Sequence, residues 1–268
     1  MAAAELSLVA LAGVPMVRDG DDLVAIIDSA LAESGQDLRD RDVLVIAQKI
    51  VSKAEGRSVA LDSVTPSPRA RELARETGKD ARVVELVLSE STEVLRHRRG
   101  VIVTVHRLGM VMANAGIDAS NVQGESGAGS EPGAGREPGA GRVLLLPRDP
   151  DRSAAELRAR LAERFGVDVG VVINDSLGRA WRNGTVGAAL GVAGLSAVVD
   201  LSGHPDLFGR PLQITEVGIA DELAAAASLI MGQAAEGRPI VLARGVPYAL
   251  GDSTAKDLIR PKDSDLFR

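Results

Sequence analysis

Apolar residues along this chain fall into two kinds of pattern. The first is the short, nearly continuous run: Leu6–Leu11, Asp42–Ala47, Val143–Leu146, Val169–Ile173 and Ile240–Ala243. Runs of this length predict buried strands. Ala197–Asp200 and Leu212–Thr215 predict two more. The second is helical spacing. Leu23, Ile26, Ile27 and Leu31 form one apolar face behind Asp19-Gly20-Asp21-Asp22, so a helix is expected there. Ser67-Pro68 predicts a helix start, with Ser as cap and Pro in the first turn, and Gly78 marks its end. Val83–Leu88 and the Ala-rich Asp221–Met231 predict two further helices. Ser153-Ala154-Ala155-Glu156 has the form of a capping box and predicts a helix to about Phe165. Val101–Val105 and Met110–Ala113, joined through Leu108-Gly109, predict a β-hairpin.

These elements alternate without a clean βαβ rhythm. The expected class is therefore α+β, with mixed sheets and flanking helices, rather than a doubly wound sheet. Residues 1–250 are read as one large domain and 251–268 as a polar, loose tail. Within the domain, residues 124–142 carry the unit EPGAGR twice. Such a Gly/Pro run buries too little apolar surface to offset its ordering entropy, so it is expected to be a flexible insertion.

Composition narrows the chemistry. The chain has 268 residues and no Cys, which excludes disulfides, thiolate metal sites and a Cys nucleophile and fits a cytoplasmic location. No apolar run approaches the ~20 residues of a membrane span. Met1–Leu11 lacks a basic start and a long apolar stretch, so no signal peptide is expected. The net charge is −6 and aromatics make up 2%, leaving neither a basic field nor stacking platforms for nucleic acid. An acidic protein handling an anionic substrate must supply cations locally, as Lys, Arg or bound metal.

Several motifs are missing: a Walker-type phosphate loop, a G-x-G-x-x-G after a strand, H-E-x-x-H and G-x-S-x-G. Gly187, Gly191 and Gly194 form a helix-like stripe of small residues, better explained by close packing than by a nucleotide. His97, His106 and His204 are scattered, and Arg96-His97-Arg98-Arg99 reads as solvated surface. Two carboxylates stand out. Asp118 follows the hairpin in NAGIDASN, and Asp175 ends an apolar strand in VVINDSLGR. Each is a hard oxygen donor among Ser, Asn and backbone oxygens, the set that suits Mg²⁺ or Mn²⁺; the plainer reading is turn capping. Lys49 and Lys53 after one strand, and Arg179 and Arg182 in a loop after Asp175, are cations able to meet phosphate.

Five strings carry a resemblance: Gly13-Val14-Pro15-Met16 with Gly20-Asp21-Asp22-Leu23 behind it; VSKAEGR at 51–57; NAGIDASN at 114–121; Asp175-Ser176 with Gly178-Arg179; and Met231-Gly232. Through them the chain resembles the coenzyme F420-0:γ-glutamyl ligases, from about Leu6 to Ala243. The resemblance implies a homodimer with a family-specific α+β fold. It implies a GTP-dependent ligase that joins L-glutamate to coenzyme F420-0, or its dehydro form, through an acyl phosphate, with two Mg²⁺ or Mn²⁺ per site and K⁺ as an aid. By the same resemblance Asp118 and Asp175 hold the first metal, and Ser176 and Gln233 help hold the second. Val14, Pro15, Met16, Val17, Gln48, Lys49, Lys53, Asn121 and the stretch from Met231, Gly232 and Gln233 to Arg238 contact GTP. Lys53 and Arg179 support developing charge as catalytic cations.

Some positions depart from the family pattern. Ser176 keeps the hydroxyl of a common Thr, Leu177 removes a polar group, and Gln233 replaces a Glu found in some relatives. Bacterial relatives often continue into a reductase-like domain about where this chain stops, at Arg268. Two other readings of the same carboxylates are a metal-dependent nucleotide or phosphate-ester hydrolase and a non-catalytic GTP-binding subunit.

Overall fold

A computed structural model describes residues 4–118 and 141–266. Nearly all of the 124–142 insertion therefore lies outside the described residues. The chain runs β1 (Ser7–Ala10), α1 (Leu23–Glu33), β2 (Val43–Ala47), α2 (Gln48–Ala54), β3 (Ser58–Ala60), α3 (Pro68–Thr77), α4 (Ala81–Ser89), β4 (Ser91–Arg98), β5 (Val101–His106), β6 (Val111–Ala113), β7 (Arg142–Leu144), α5 (Pro150–Phe165), β8 (Gly170–Arg179), β9 (Arg182–Ala193), β10 (Val199–Asp200), β11 (Glu216–Val217), α6 (Ile219–Met231) and β12 (Ile240–Arg244). It is the expected α+β mixture. It divides into two compact units, residues 1–51 with 149–268, and residues 52–148. No described helix is long and apolar enough to cross a membrane.

The larger unit is built on a five-stranded sheet in the order β1-β12-β2-β8-β9. Neighbours are antiparallel except β2 and β8, which run parallel with Ala47 opposite Asn174. Val43, Leu44, Val45 and Ile46 are completely buried, as an unbroken apolar run in a central strand requires. The core is built from aliphatic side chains of β2, β8, β9, β12 and α6, with Tyr248 the one aromatic among its buried residues. α1 starts at Asp22, whose carboxylate accepts from the N–H groups of Val24 and Ala25.

Three expectations are corrected in this unit. α5 begins at Pro150, capped by Asp149, which accepts from Arg152 N. Pro150 fixes φ for the first turn, so the Ser153–Glu156 box lies inside the helix, where Ser153 donates to Asp149 O and Glu156 pairs with Arg152. The glycines at 187 and 191 lie on strand β9, not on a helix. Leu212–Thr215 is not a strand; pairing falls instead on Glu216-Val217 against Val199-Asp200. The tail is also tied down. Thr254 and Asp257 cap each other around a short 3₁₀ turn, and Ala255 N donates to Asp151 Oδ1.

The smaller unit holds a three-stranded sheet, β4-β5-β6, and a two-stranded one, β3-β7. The expected hairpin is present, with Gly109 N donating to His106 O across its turn. α3 begins at the Ser67 cap with Pro68 in its first turn and ends at left-handed Gly78, as the sequence predicts. β4 was not expected. It is an edge strand rich in charge, and its exposure hides the alternation a strand usually shows. α3, α4, Ile102 and Ala115 share a separate apolar core.

Candidate active site

The parallel pair β2–β8 organises the candidate residues of the larger unit. Ala47 ends β2 opposite Asn174, so Gln48 and Lys49 follow at the strand end where Asp175 and Ser176 pass on β8. This is the carboxyl end of two parallel strands, where open sheets present ligand groups. β8 does not stop at Ile173. It continues through Asp175 and Ser176 to Arg179, and β9 begins at Arg182, so Arg179 and Arg182 are the last and first residues of two hairpin strands and not members of the loop expected. Strand alternation then sends Asn174 and Ser176 to one face and Asp175 to the other.

The face of Asn174 and Ser176 is covered by the end of α6. Asn174 is buried and donates Nδ2 to Ser228 Oγ at 3.0 Å and to Met231 Sδ at 3.4 Å. Its Oδ1 takes no hydrogen bond among the described residues. Ser176 Oγ donates to Gln233 Oε1 at 2.7 Å. The two positions assigned together to a second metal thus meet, one from β8 and one just past α6. Gly232 ends α6 in a conformation open to glycine, φ +77°. Glu236 then accepts from Ala234 N, folding the 232–237 loop on itself. Backbone hydrogen bonds from this carboxylate's own loop hold it below the usual range.

The Val14–Val17 segment leaves the same end of the sheet. Leu11 N donates to Ile240 O, and Ala47 N donates to Pro239 O. Val17 is buried while Met16 is 58% exposed. Gln48 is buried. Arg179 sits further out, at the tip of the β8–β9 hairpin, where its guanidinium reaches Asn183 O at 3.4 Å. Among the described residues no three His, Asp or Glu side chains converge as a metal cluster.

Lys53 and Asp118 belong to the smaller unit. Asp118 is held by its backbone: its N–H donates to Leu144 O at 3.0 Å and its carbonyl accepts from Leu144 N at 2.8 Å. The approach is strained. Asn114, Ala115 and Gly116 have φ of 53°, 52° and 65° in succession, an αL run that costs about 1 kcal/mol or more for a non-glycine residue. Two contacts hold it: Ile102 N donates to Asn114 Oδ1, and Ala115 is fully buried. Gly116 is required twice, by its positive φ and by Leu146, whose methyl would stand 2.9 Å from an added Cβ. Asn121 lies outside the described residues.

Sequence reasoning missed Asn174, whose neighbours Ser228 and Met231 come from a distant helix. It read Arg57 and Glu55 only as parts of a motif. In the structure Arg57 donates to Leu146 O and Glu55 accepts from Arg148 N, fixing the segment that follows β7.

Comparison with known proteins is consistent throughout. The family model described as F420-0:γ-glutamyl ligase matches residues 13–245. The chain is 47% identical over 265 residues to the coenzyme F420:L-glutamate ligase of Methanothermobacter thermautotrophicus, covering 98% of this chain and 99% of that protein. It is 47% identical over 256 residues to the enzyme of that name in Methanopyrus kandleri, with 94% and 93% covered. For Methanocaldococcus jannaschii the figures are 42% over 231 residues and 86% of each.

Proposed function

The chain belongs to the F420-0:γ-glutamyl ligase family and is a ligase of coenzyme F420 biosynthesis; from that premise we propose that it joins L-glutamate to coenzyme F420-0 or its dehydro form at the expense of GTP. One observation carries the site assignment: the parallel β2–β8 pair delivers Gln48-Lys49 and Asp175-Ser176 to one sheet end, with Gln233 hydrogen-bonded to Ser176.

Amide formation in water needs an activated acid. The acceptor carboxylate oxygen attacks the γ-phosphorus of GTP, the bond from that phosphorus to the bridging oxygen breaks, and GDP leaves. The amine of L-glutamate then attacks the acyl carbon, and phosphate departs with the C–O bond. The amine's protons pass to phosphate and solvent. Catalysis of this kind is largely positioning and charge stabilisation. Val14–Val17, Gln48, Lys49 and Met231–Arg238 hold the nucleotide, and Asn121 is assigned to it by the family resemblance. Lys53 and Arg179 meet developing negative charge.

Ser176 Oγ and Gln233 Oε1, 2.7 Å apart, and the carboxylates of Asp175 and Asp118 are hard oxygen donors of the kind Mg²⁺ and Mn²⁺ prefer. Two such ions, when bound there, neutralise phosphate oxygens; K⁺ assists. A cytoplasmic homodimer completes the reading.

The test is a mass-resolved turnover assay with GTP, Mn²⁺, K⁺, L-glutamate and coenzyme F420-0, each omitted in turn. Glutamyl addition strictly dependent on GTP and metal is expected. GDP release that ignores glutamate and acceptor would replace the ligase by the hydrolase. Asp118→Asn and Asp175→Asn should each lower turnover by about a thousandfold or more with thermal unfolding unchanged. Gln233→Glu should lower the Mn²⁺ concentration needed for half-maximal rate about tenfold, because a charged oxygen binds a divalent ion more tightly than an amide oxygen. An unchanged Mn²⁺ requirement removes Gln233 from the metal site.

A further inference from the structure

Asn174 has no part in the chemistry assigned above, yet it is 4% exposed and carries an amide into an aliphatic core. Its neighbours across the sheet are Ala47 and Ala189, whose side chains offer it no hydrogen bond. Both hydrogen bonds of its Nδ2 reach the last turn of α6, to Ser228 Oγ at 3.0 Å and to Met231 Sδ at 3.4 Å. A thioether accepts and cannot donate, so the amino side of the amide must face Met231. Oδ1 is then buried without a partner among the described residues, which costs free energy. Gly187, opposite Ser176, makes room for the Ser228 hydroxyl, since a Cβ there would stand 2.3 Å from Ser228 Oγ.

Ser228 and Met231 are three residues apart and so share one side of the helix. Met231 is its last residue, Gly232 N donates to Ser228 O, and Gln233 follows. Two residues along β8, on the same face, Ser176 Oγ donates to Gln233 Oε1 at 2.7 Å. Strand and helix end are thus joined by two rungs, a buried one at Asn174 and a more exposed one at Ser176 and Gln233. A cation that takes lone pairs from both outer oxygens competes with the outer rung. It does not touch the inner one, which is dry and bonded to the helix itself. Stability alone does not explain the amide, because an apolar side chain of the same size would leave no acceptor buried and unpaired at this position.

We propose that Asn174 is a positioning residue of the second metal site: by holding the last turn of α6 on β8, it keeps Gln233 Oε1 within reach of the cation that Ser176 Oγ also binds. The proposal rests on the assignment of Ser176 and Gln233 in the ligase reading and deepens it. Groups that hold a metal ligand from behind orient it, and their loss typically weakens metal binding about ten- to a hundredfold. Gln233 is an exposed residue just past a helix end and brings a neutral amide oxygen. Such a ligand depends on its support more than a carboxylate does, because charge does not draw it to the cation.

The test titrates Mn²⁺ into the full-length protein with GDP present, follows the free ion by electron paramagnetic resonance, and compares wild type with Asn174→Leu, Ser228→Ala and the double variant. Ser228→Ala removes only a hydroxyl and covers the case in which Asn174→Leu fails to fold. The wild type is expected to bind two ions. In each single variant the weaker ion should bind about tenfold less tightly, while the ion assigned to Asp175 stays within about twofold and thermal unfolding without metal moves little. The double variant should lose no more than either single one, since both changes cut the same rung. In ligation the Mn²⁺ concentration for half-maximal rate should rise by the same factor, with kcat at saturating Mn²⁺ within about twofold. Two ions bound by every folded variant as tightly as by wild type would overturn the proposal. So would equal weakening of both ions with a lower unfolding temperature, the mark of a general loosening. A wild type that binds one ion only removes the second site and the proposal with it. A weakened second ion in a protein that performs no ligation would keep the positioning role and reject the ligase.

Discussion

Glu90 ties four segments of the 52–148 unit together. Its Oε1 accepts from Arg57 Nη2 at 2.9 Å and its Oε2 from Arg107 Nε at 3.0 Å. His106 Nδ1 accepts from Leu108 N, which leaves the ring proton on Nε2, 3.5 Å from Glu90 Oε2. The same two arginines donate to the carbonyls of Leu146, Pro147 and Arg148. Burial raises the carboxyl pKa, but the hydrogen bonds from His106 and Arg57 and the charges of Arg57 and Arg107 outweigh it, and the value falls from 4.5 to about 2. A depressed carboxyl stabilises the fold fully above its ordinary pKa and loses that contribution as pH falls toward the folded value. Unfolding temperature should therefore drop between pH 4.5 and about 2, and Glu90→Gln should flatten that part of the profile. At neutral pH the variant should cost about 2 kcal/mol, because it leaves the half-buried Arg57 guanidinium, and the more exposed Arg107, without their charge partner. Calorimetry across the acid range checks both, and a variant profile parallel to wild type in that window would remove Glu90 from the balance. None of this was legible in the sequence. Glu90 pairs with residues 33 positions before and 17 after it, and no local pattern joins them. The candidate carboxylates Asp118 and Asp175, by contrast, stand out in the sequence because each lies in a short polar string after an apolar run.

Elements whose signals are local were read correctly, and those set by tertiary contact were not. Asp22, Ser67-Pro68 and Gly78 cap their own helices, so the sequence within a few residues decides them. The start of α5 failed because two cap signals compete within seven residues, and a proline in the first turn wins over a capping box that follows it. The glycines failed for a different reason. Ile173 pairs with Gly191 and Asn174 with Ala189, so Leu190 is a bulged residue. The bulge reverses the faces on either side of it. A Cβ on Gly187 would stand 2.2 Å from Ala224 O of α6, whereas one on Gly191 would stand 2.2 Å from Pro150 O of α5. Close packing was the right reading, on two faces of a strand and not one face of a helix. β9 is an edge strand, and its outward N–H groups are taken by carboxylates: Ala189 N donates to Asp221 Oδ1 and Val192 N to Asp151 Oδ1. Gly187→Ala must push α6 away, and α6 carries Ser228 and the turn to Gln233 that meet Asn174 and Ser176. We expect a loss of about 3 kcal/mol in urea unfolding at unchanged m-value, with a rise in the Mn²⁺ requirement of what remains folded. Gly178→Ala is the control. Its added Cβ meets nothing within 4 Å, and the cost should stay within about 0.5 kcal/mol. Equal stability of the two variants would mean that α6 is not seated on β9 as described.

At the scale of the whole molecule, the unusual feature is where the chain spends its few large apolar side chains. Aromatics are 2% of the sequence, with a single Trp. Trp181 is nevertheless 85% exposed at the β8–β9 tip, and Leu207, Phe208 and Ile214 are 98%, 86% and 91% exposed in the loop between β10 and β11. That loop is ordered by its own hydrogen bonds: Asp206 Oδ1 accepts from Phe208 N and Arg210 N, and Leu201 N donates to Thr215 O. A rigid loop that holds three large apolar side chains in water incurs a standing cost in a monomer. Covering them by a second copy removes that cost, and two-fold pairing is the commonest way a soluble chain does so. The aromatic and aliphatic identities suit the centre of such a contact. Sedimentation equilibrium should therefore give twice the 27.8 kDa chain mass. Phe208→Asp with Ile214→Asp should weaken association about a hundredfold or more, because each change puts a charge into an apolar contact. The double variant should keep its circular dichroism, since both side chains lie outside the cores of either unit. A wild-type chain that sediments at the single-chain mass would refute the dimer, and a double variant as dimeric as wild type would move the contact away from this loop. A monomeric variant that also loses ligation would show that the second copy is needed for turnover, whereas full activity in the monomer would confine each working site to one chain.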